Sequence, residues 1–88
     1  MKPILRVFVI EHCATCDEAR SIAIHIEQEY PEVTVEVVDI GDTEVVVPET
    51  VFATPTFMLN NRIVSLGNPY PEEIARVIEE VTVVQYRH

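Results

Sequence analysis

The chain has 88 residues, of which 48% are hydrophobic, with 15 acidic and 6 basic side chains and a formal net charge of −9 at pH 7. A chain of this length is expected to form one domain over residues 1–88 with a single modest core. Its negative charge repels nucleic acid and anionic lipid, so we expect neither nucleic acid nor a membrane as a partner. It contains no apolar run near the ~20 residues of a membrane helix and no signal-peptide pattern.

The first predicted elements are a strand and a helix. Residues 4–10 are apolar at both alternating positions after Arg6, which is typical of a central strand covered on both faces. A helical pattern follows from Cys16 and ends at Pro31. The apolar positions of this predicted amphipathic helix are Ala19, Ala23, Ile26 and Tyr30.

The next stretch contains one clear strand and one ambiguous segment. Residues 33–37 alternate between valine and polar side chains, which predicts an edge strand with one solvent-facing side, parallel to the first strand. Residues 41–53 give mixed signals, because Val45–Val47 favours extended structure whereas Asp42 or Pro48 could begin a short helix.

A hairpin and a final helix complete the pattern. Residues 55–59 are again apolar at both alternating positions, and the Asn60-Asn61 pair, which tolerates positive φ, leads into residues 62–66. The last helix is expected to follow Pro71, and residues 82–88, which lack a clear period, are expected either to fray or to pair with another segment. Its apolar positions are Ile74, Val77, Ile78 and Val81.

This order predicts an α/β fold. The first and third strands, which are expected to be buried on both faces, belong in the middle of a four-stranded mixed sheet, and the other two, half-exposed strands belong at its edges. Two or three helices are expected to flank the sheet.

The only two cysteines, Cys13 and Cys16, lie three residues apart where the first strand ends and the helix begins. If Cys13 caps the helix, the two Cα atoms are about 5 Å apart, which a disulfide allows. The free N–H groups and the dipole at the helix N-terminus would stabilise a thiolate on Cys13, the form that attacks disulfides. A bond across so short a loop constrains little chain entropy, which favours a redox role over a structural one. Because the chain lacks a framework of several cysteines, we expect a cytoplasmic location.

The Cys13–Cys16 motif after the first strand and Thr54-Pro55 before the third strand resemble, in order and spacing, the thioredoxin superfamily, which includes the glutaredoxins. The resemblance covers nearly all of the chain and implies a thioredoxin-like fold with a cis Thr54-Pro55 bond facing the cysteines. It also implies a thiol–disulfide oxidoreductase of electron transport and cell redox homeostasis. In that family the residue matching Cys13 is the nucleophile and the residue matching Cys16 resolves the mixed disulfide.

The sequence departs from the family pattern at several positions. Ala14-Thr15 matches neither the Gly-Pro of thioredoxins nor the Pro-Tyr of glutaredoxins, so the subfamily stays open. His12 stands where thioredoxins usually have Trp, and Val7 stands where they keep a buried Asp. Of the features with which glutaredoxins bind glutathione, only Thr54-Pro55 is clearly present. We therefore expect a disulfide-containing protein substrate and a dithiol reductase as partners, rather than glutathione.

Three neighbouring side chains are expected to set the acidity of the nucleophile. A protonated His12 would favour the Cys13 thiolate, whereas Asp17 and Glu18 would oppose it by repulsion. The net expectation is a moderately acidic thiol and a reducing potential.

The predicted substrate-binding residues are Thr54, Pro55 and Gly67. The first two are expected to offer backbone groups to an extended substrate segment, which is the strand-addition mode of peptide recognition. Gly67 would let that segment approach from the other side because it has no side chain.

Two alternatives come from other functional classes. One is a metal-binding module in which Cys13 and Cys16 act with His12 or His25. Tetrahedral zinc needs four ligands and His25 falls on another helix face, so a dimer sharing two cysteine pairs would be required, for zinc or for an iron–sulfur cluster. The other is an adapter that keeps the fold without turnover. The favoured redox role requires no metal and no cofactor.

Overall fold

A computed structural model describes the backbone of residues 2–86 and the side chains of residues 2–82. Along the chain the elements are β1 (Ile4–Val9), α1 (Ala14–Glu29), β2 (Thr34–Asp39), β3 (Thr56–Leu59), β4 (Arg62–Leu66) and α2 (Pro71–Tyr86). Neither helix in this part of the chain is both long and apolar enough to cross a membrane.

The four strands form one mixed sheet in the order β2-β1-β3-β4. β1 pairs parallel with β2 and antiparallel with β3, and β3 pairs antiparallel with β4. The first and third strands of the chain, β1 and β3, are central, and β2 and β4 lie at the edges, as predicted. The predicted thioredoxin-like α/β fold is confirmed, with two flanking helices in the described residues.

The main hydrophobic core lies between one face of the sheet and both helices. α1 contributes the residues that recur at helical spacing, and α2 contributes its own stripe, so each helix buries one face. The sheet supplies alternating residues of its two central strands. The buried members of this core are Leu5, Val7, Val9, Cys16, Ala19, Ala23, Ile26, Val33, Phe57, Leu59, Ile74, Val77 and Ile78.

A smaller cluster covers the opposite face of the sheet, where Phe8 and Met58 pack with Val51. The covering residues belong to the segment 41–55, which contains turns and no helix or strand. The residues whose sequence signals were mixed form turns held by local hydrogen bonds. For example, the Asp42 carboxylate accepts a hydrogen bond from the Glu44 N–H at 2.9 Å. An apolar side chain every few residues is enough to cover the face without a regular element.

The edge strand β2 differs from its prediction in one respect. Its supposed solvent-facing side carries Val38, which packs on the smaller cluster, while Val37 on the other side is 47% exposed. Thr34 and Glu36, on the same side as Val38, are exposed as predicted, so the difference is confined to the two valines near the end of the strand.

The hairpin and the final helix follow the sequence prediction closely. Asn60 has φ 56°, and its side-chain oxygen accepts a hydrogen bond from the Ile4 N–H at 3.0 Å. α2 extends to Tyr86, beyond residue 81, where the helical pattern of the sequence ends. The Thr82 hydroxyl donates back to the Ile78 carbonyl at 3.0 Å within the helix, and no proline or glycine follows to end it. Residues 87 and 88 lie outside the described residues.

Candidate active site

The two cysteines form a disulfide at the N-terminus of α1, with a Cα–Cα distance of 5.2 Å. Cys13 is the N-cap residue and makes no side-chain cap hydrogen bond, while the Cys16 N–H donates to the Cys13 carbonyl at 3.1 Å. Cys16 is fully buried in the core (0% exposed), whereas Cys13 is partly exposed. An incoming reagent therefore meets Cys13 first.

The predicted substrate-binding residues lie together at the start of β3. The Thr54–Pro55 peptide bond is cis, as the resemblance implies, and Gly67 has φ 97°. The Gly67 N–H donates to the Pro55 carbonyl at 2.8 Å, which joins the two segments. β3 enters the sheet beside the end of β1, where Thr56 pairs with Phe8. At this end of the sheet, β1 finishes and the chain continues to Cys13.

The backbone groups free for a ligand on this side belong to Thr54. Pro55 is buried, has no N–H, and its carbonyl already accepts from Gly67. Within residues 2–86, no hydrogen bond engages the backbone N–H or C=O of Thr54. Of the two residues predicted to offer backbone groups to a substrate, only Thr54 has such groups free in the structure.

The three residues predicted to influence the acidity of Cys13 are exposed. His12 has φ 60° in the turn before Cys13. Asp17 forms an ion pair with Arg20 at 3.1 Å, and Glu18 accepts a hydrogen bond from the Asn68 side-chain amide at 3.2 Å. Both carboxylates thus have partners that the sequence analysis did not identify.

Asn68 is the site residue that sequence reasoning missed. Its Nδ2 donates to the Thr15 carbonyl at 3.1 Å, inside the CxxC motif, as well as to Glu18. The Thr15 hydroxyl in turn lies 3.5 Å from the Cys13 sulfur. In sequence, Asn68 follows Gly67 and precedes a proline, a pattern that indicates only a turn. Nothing local predicts a contact with a residue 53 positions earlier.

Three large apolar side chains are exposed on the segments that carry the site. Phe52 is 77% exposed shortly before Thr54, and Leu66 and Tyr70, on either side of Gly67, are 52% and 72% exposed. Where exposed apolar side chains form a contiguous patch, they are typical of surfaces that contact another protein.

The described part of the chain shows no metal centre. In residues 2–86, no group of three or more His, Cys, Asp and Glu side chains is arranged to hold a metal ion.

The family follows from comparison with known proteins. A sequence model described as "Thioredoxin domain" matches residues 5–79. The chain belongs to the thioredoxin-domain family. Together with the Cys13–Cys16 pair, this membership supports thiol–disulfide oxidoreductase activity in general. Curated protein sequences give no significant match.

Solved structures of thioredoxins share the fold. Thioredoxin from Fasciola hepatica has a TM-score of 0.71 at 23% identity, over 90% of this chain and 80% of that chain. The malaria parasite thioredoxin-2, described as a component of the protein secretion machinery, has a TM-score of 0.75 at 16% identity, over 90% and 82%. Oxidized thioredoxin O2 from Arabidopsis thaliana has a TM-score of 0.67 at 20% identity, over 90% and 74%.

Proposed function

We propose that the protein reduces disulfide bonds in other proteins, with Cys13 as nucleophile and Cys16 as resolving thiol. The observation that carries the proposal is the arrangement of the pair at the N-terminus of α1. The nucleophile is partly exposed and its neighbour is buried directly behind it. Helix N-termini favour negative charge, and therefore the thiolate.

The reaction proceeds in two exchanges. The Cys13 thiolate attacks one sulfur of the target disulfide, forms a mixed disulfide, and expels the other target sulfur as a thiolate. Cys16 gives its proton to the expelled target thiolate, attacks the Cys13 sulfur, closes the Cys13–Cys16 disulfide and releases the second target thiolate. Protonation of this second thiolate completes the transfer of two electrons and two protons. A dithiol reductase then restores the reduced pair.

The substrate segment is proposed to run past Thr54 and Gly67, which the bond between Gly67 and Pro55 holds near each other. The free N–H and C=O of Thr54 would pair with an extended peptide as an added strand. The absence of a side chain at Gly67 leaves space on the opposite side, since nothing lies within 4 Å of where a Cβ would be. A protein substrate would also contact the exposed side chains of Phe52, Leu66 and Tyr70. A small thiol such as glutathione could not reach these side chains.

Cytoplasm is the proposed compartment. Both cysteines belong to a single exchange site, and a reducing environment would keep that site in the dithiol form. Fractionation with the tagged full chain, combined with alkylation of the two thiols in intact cells, tests this. A mainly oxidised pair in a membrane-enclosed fraction would overturn it.

Insulin reduction driven by dithiothreitol tests the proposed activity. The wild-type chain should accelerate precipitation of the insulin B chain, and Cys13→Ser should abolish the acceleration. Regeneration by glutathione alone should be slower than regeneration by a dithiol. Stoichiometric zinc or iron in reduced, purified protein would instead support the metal module, and a reversible disulfide without turnover would support the adapter.

A further inference from the structure

We propose that Asn68 is a positioning residue for the reactive cysteine: it holds Thr15 so that the Thr15 hydroxyl donates a hydrogen bond to the Cys13 sulfur. This inference rests on the proposed role of Cys13 as nucleophile. It adds two residues, one of them outside the CxxC motif, to the machinery that sets thiolate reactivity.

The orientation of the Asn68 amide is fixed by its partners. Nδ2 lies 3.1 Å from the Thr15 carbonyl oxygen and 3.2 Å from the Glu18 carboxylate. Both partners are acceptors, so only the NH₂ group can face them. The other end of the amide, Oδ1, is buried without a hydrogen-bond partner within the described residues. Leaving a buried acceptor unpaired is unfavourable, so the two donated bonds hold this side chain in place.

Thr15 carries the effect to the sulfur. Its Oγ1 lies 3.5 Å from Cys13 Sγ, and a disulfide sulfur has no hydrogen, so the hydroxyl is the donor. After reduction the same hydroxyl faces a thiolate, and hydrogen bonds to charged acceptors are stronger than those between neutral groups. The bond therefore favours the thiolate over the thiol.

Most of the charged groups near Cys13 are negative, so the hydrogen bond donated by the Thr15 hydroxyl matters for the thiolate. On its own segment lie Glu11 and His12, and the first turns of α1 carry Asp17 and Glu18. The facing segments, residues 53–56 and 66–70, contain no charged side chain. With three carboxylates nearby against one histidine, neutral donors have to supply much of the thiolate stabilisation.

Two measurements on the reduced protein test the proposal. Thiolate absorbance is titrated against pH, and the rate of Cys13 alkylation by iodoacetamide at pH 7 is followed by mass spectrometry. Thr15→Val removes the hydroxyl at constant shape and should slow alkylation about three- to ten-fold, with the absorbance midpoint at higher pH. Thr15→Ser keeps the hydroxyl and should restore both values.

Asn68→Ala should also slow alkylation. The double variant with Thr15→Val should be no slower than Thr15→Val alone, because both changes remove the same hydrogen bond, from the Thr15 hydroxyl to the Cys13 sulfur. Asn68→Leu keeps the approximate shape, removes the donor without adding a charge, and replaces the alanine variant if that variant does not show the circular dichroism spectrum of the wild type. A Thr15→Val protein that titrates like wild type overturns the proposal. Fully additive effects of the two substitutions overturn the role of Asn68. Neither measurement needs turnover, so absence of insulin reduction would refute the proposed function without changing these outcomes.

Discussion

Gly67 and Pro55 are joined by a backbone hydrogen bond of 2.8 Å, donated by the glycine N–H. This bond fixes the segment after β4 against the segment before β3, so the two sides of the proposed substrate site move as one unit. It forms with Gly67 at φ 97°, a conformation that residues with a side chain rarely adopt.

Gly67→Ala should therefore reduce the free energy of unfolding by about 1–2 kcal/mol, the cost of a left-handed conformation in an L-residue. Steric clash does not contribute, because nothing lies within 4 Å of the added Cβ position. Urea denaturation measures the loss. Gly67→Asn is the matched control and should lose less, since asparagine tolerates positive φ. Equal losses would mean that backbone conformation is not the cause.

Cys16→Ser should trap mixed disulfides between Cys13 and a protein substrate, because the resolving thiol is missing. Cys13→Ser should trap almost none, since the remaining Cys16 is fully buried. Non-reducing electrophoresis after incubation with oxidised insulin distinguishes the two variants. Similar trapping by both would contradict the assignment of nucleophile and resolving thiol.

Neutralising Asp17 and Glu18 together, as Asp17→Asn and Glu18→Gln, should speed alkylation of Cys13 about two- to five-fold at low ionic strength. The gain should shrink in salt, because exposed charges are screened over ~10 Å at 0.1 M. Glu29→Gln is the control. It removes one negative charge from the far end of α1, about 20 Å from Cys16 along the helix axis, and should leave the rate unchanged. A gain that persists in high salt would point to a structural cause.

Two isoleucines of α1 provide a test of the core. Ile26→Ala should cost about 2–5 kcal/mol of unfolding free energy, because Ile26 is 2% exposed. Ile24→Ala, two positions away on the same helix, should cost under about 0.5 kcal/mol, because Ile24 is 57% exposed. Comparable losses in thermal and urea unfolding would contradict the burial of this helix face.

Periodicity was sufficient to predict the sheet and the helices, because each buried face repeats at the spacing of its own element. The placement of Cys13 as helix cap also followed from the strand-to-helix change at that point. The path of residues 41–55 did not follow, since its shape depends on Phe8 and Met58, which lie on other elements. The contact between Asn68 and Thr15 could not be predicted either, because it exists only after the sheet has brought the end of β4 near the start of α1.

The two faces of the sheet are protected unequally. Two helices of 16 residues each shield one face, whereas a segment of turns shields Phe8 and Met58 on the other. Backbone amides in such a segment have few internal partners, so local opening there requires far less free energy than global unfolding, and hydrogen exchange should be fastest between residues 41 and 53. Because this segment runs directly into Thr54, opening events that extend to residue 53 also loosen the residue that would pair with a substrate, although Pro55 stays bonded to Gly67. The lifetime of a bound target would then depend on the stability of a stretch of chain that contains no redox chemistry.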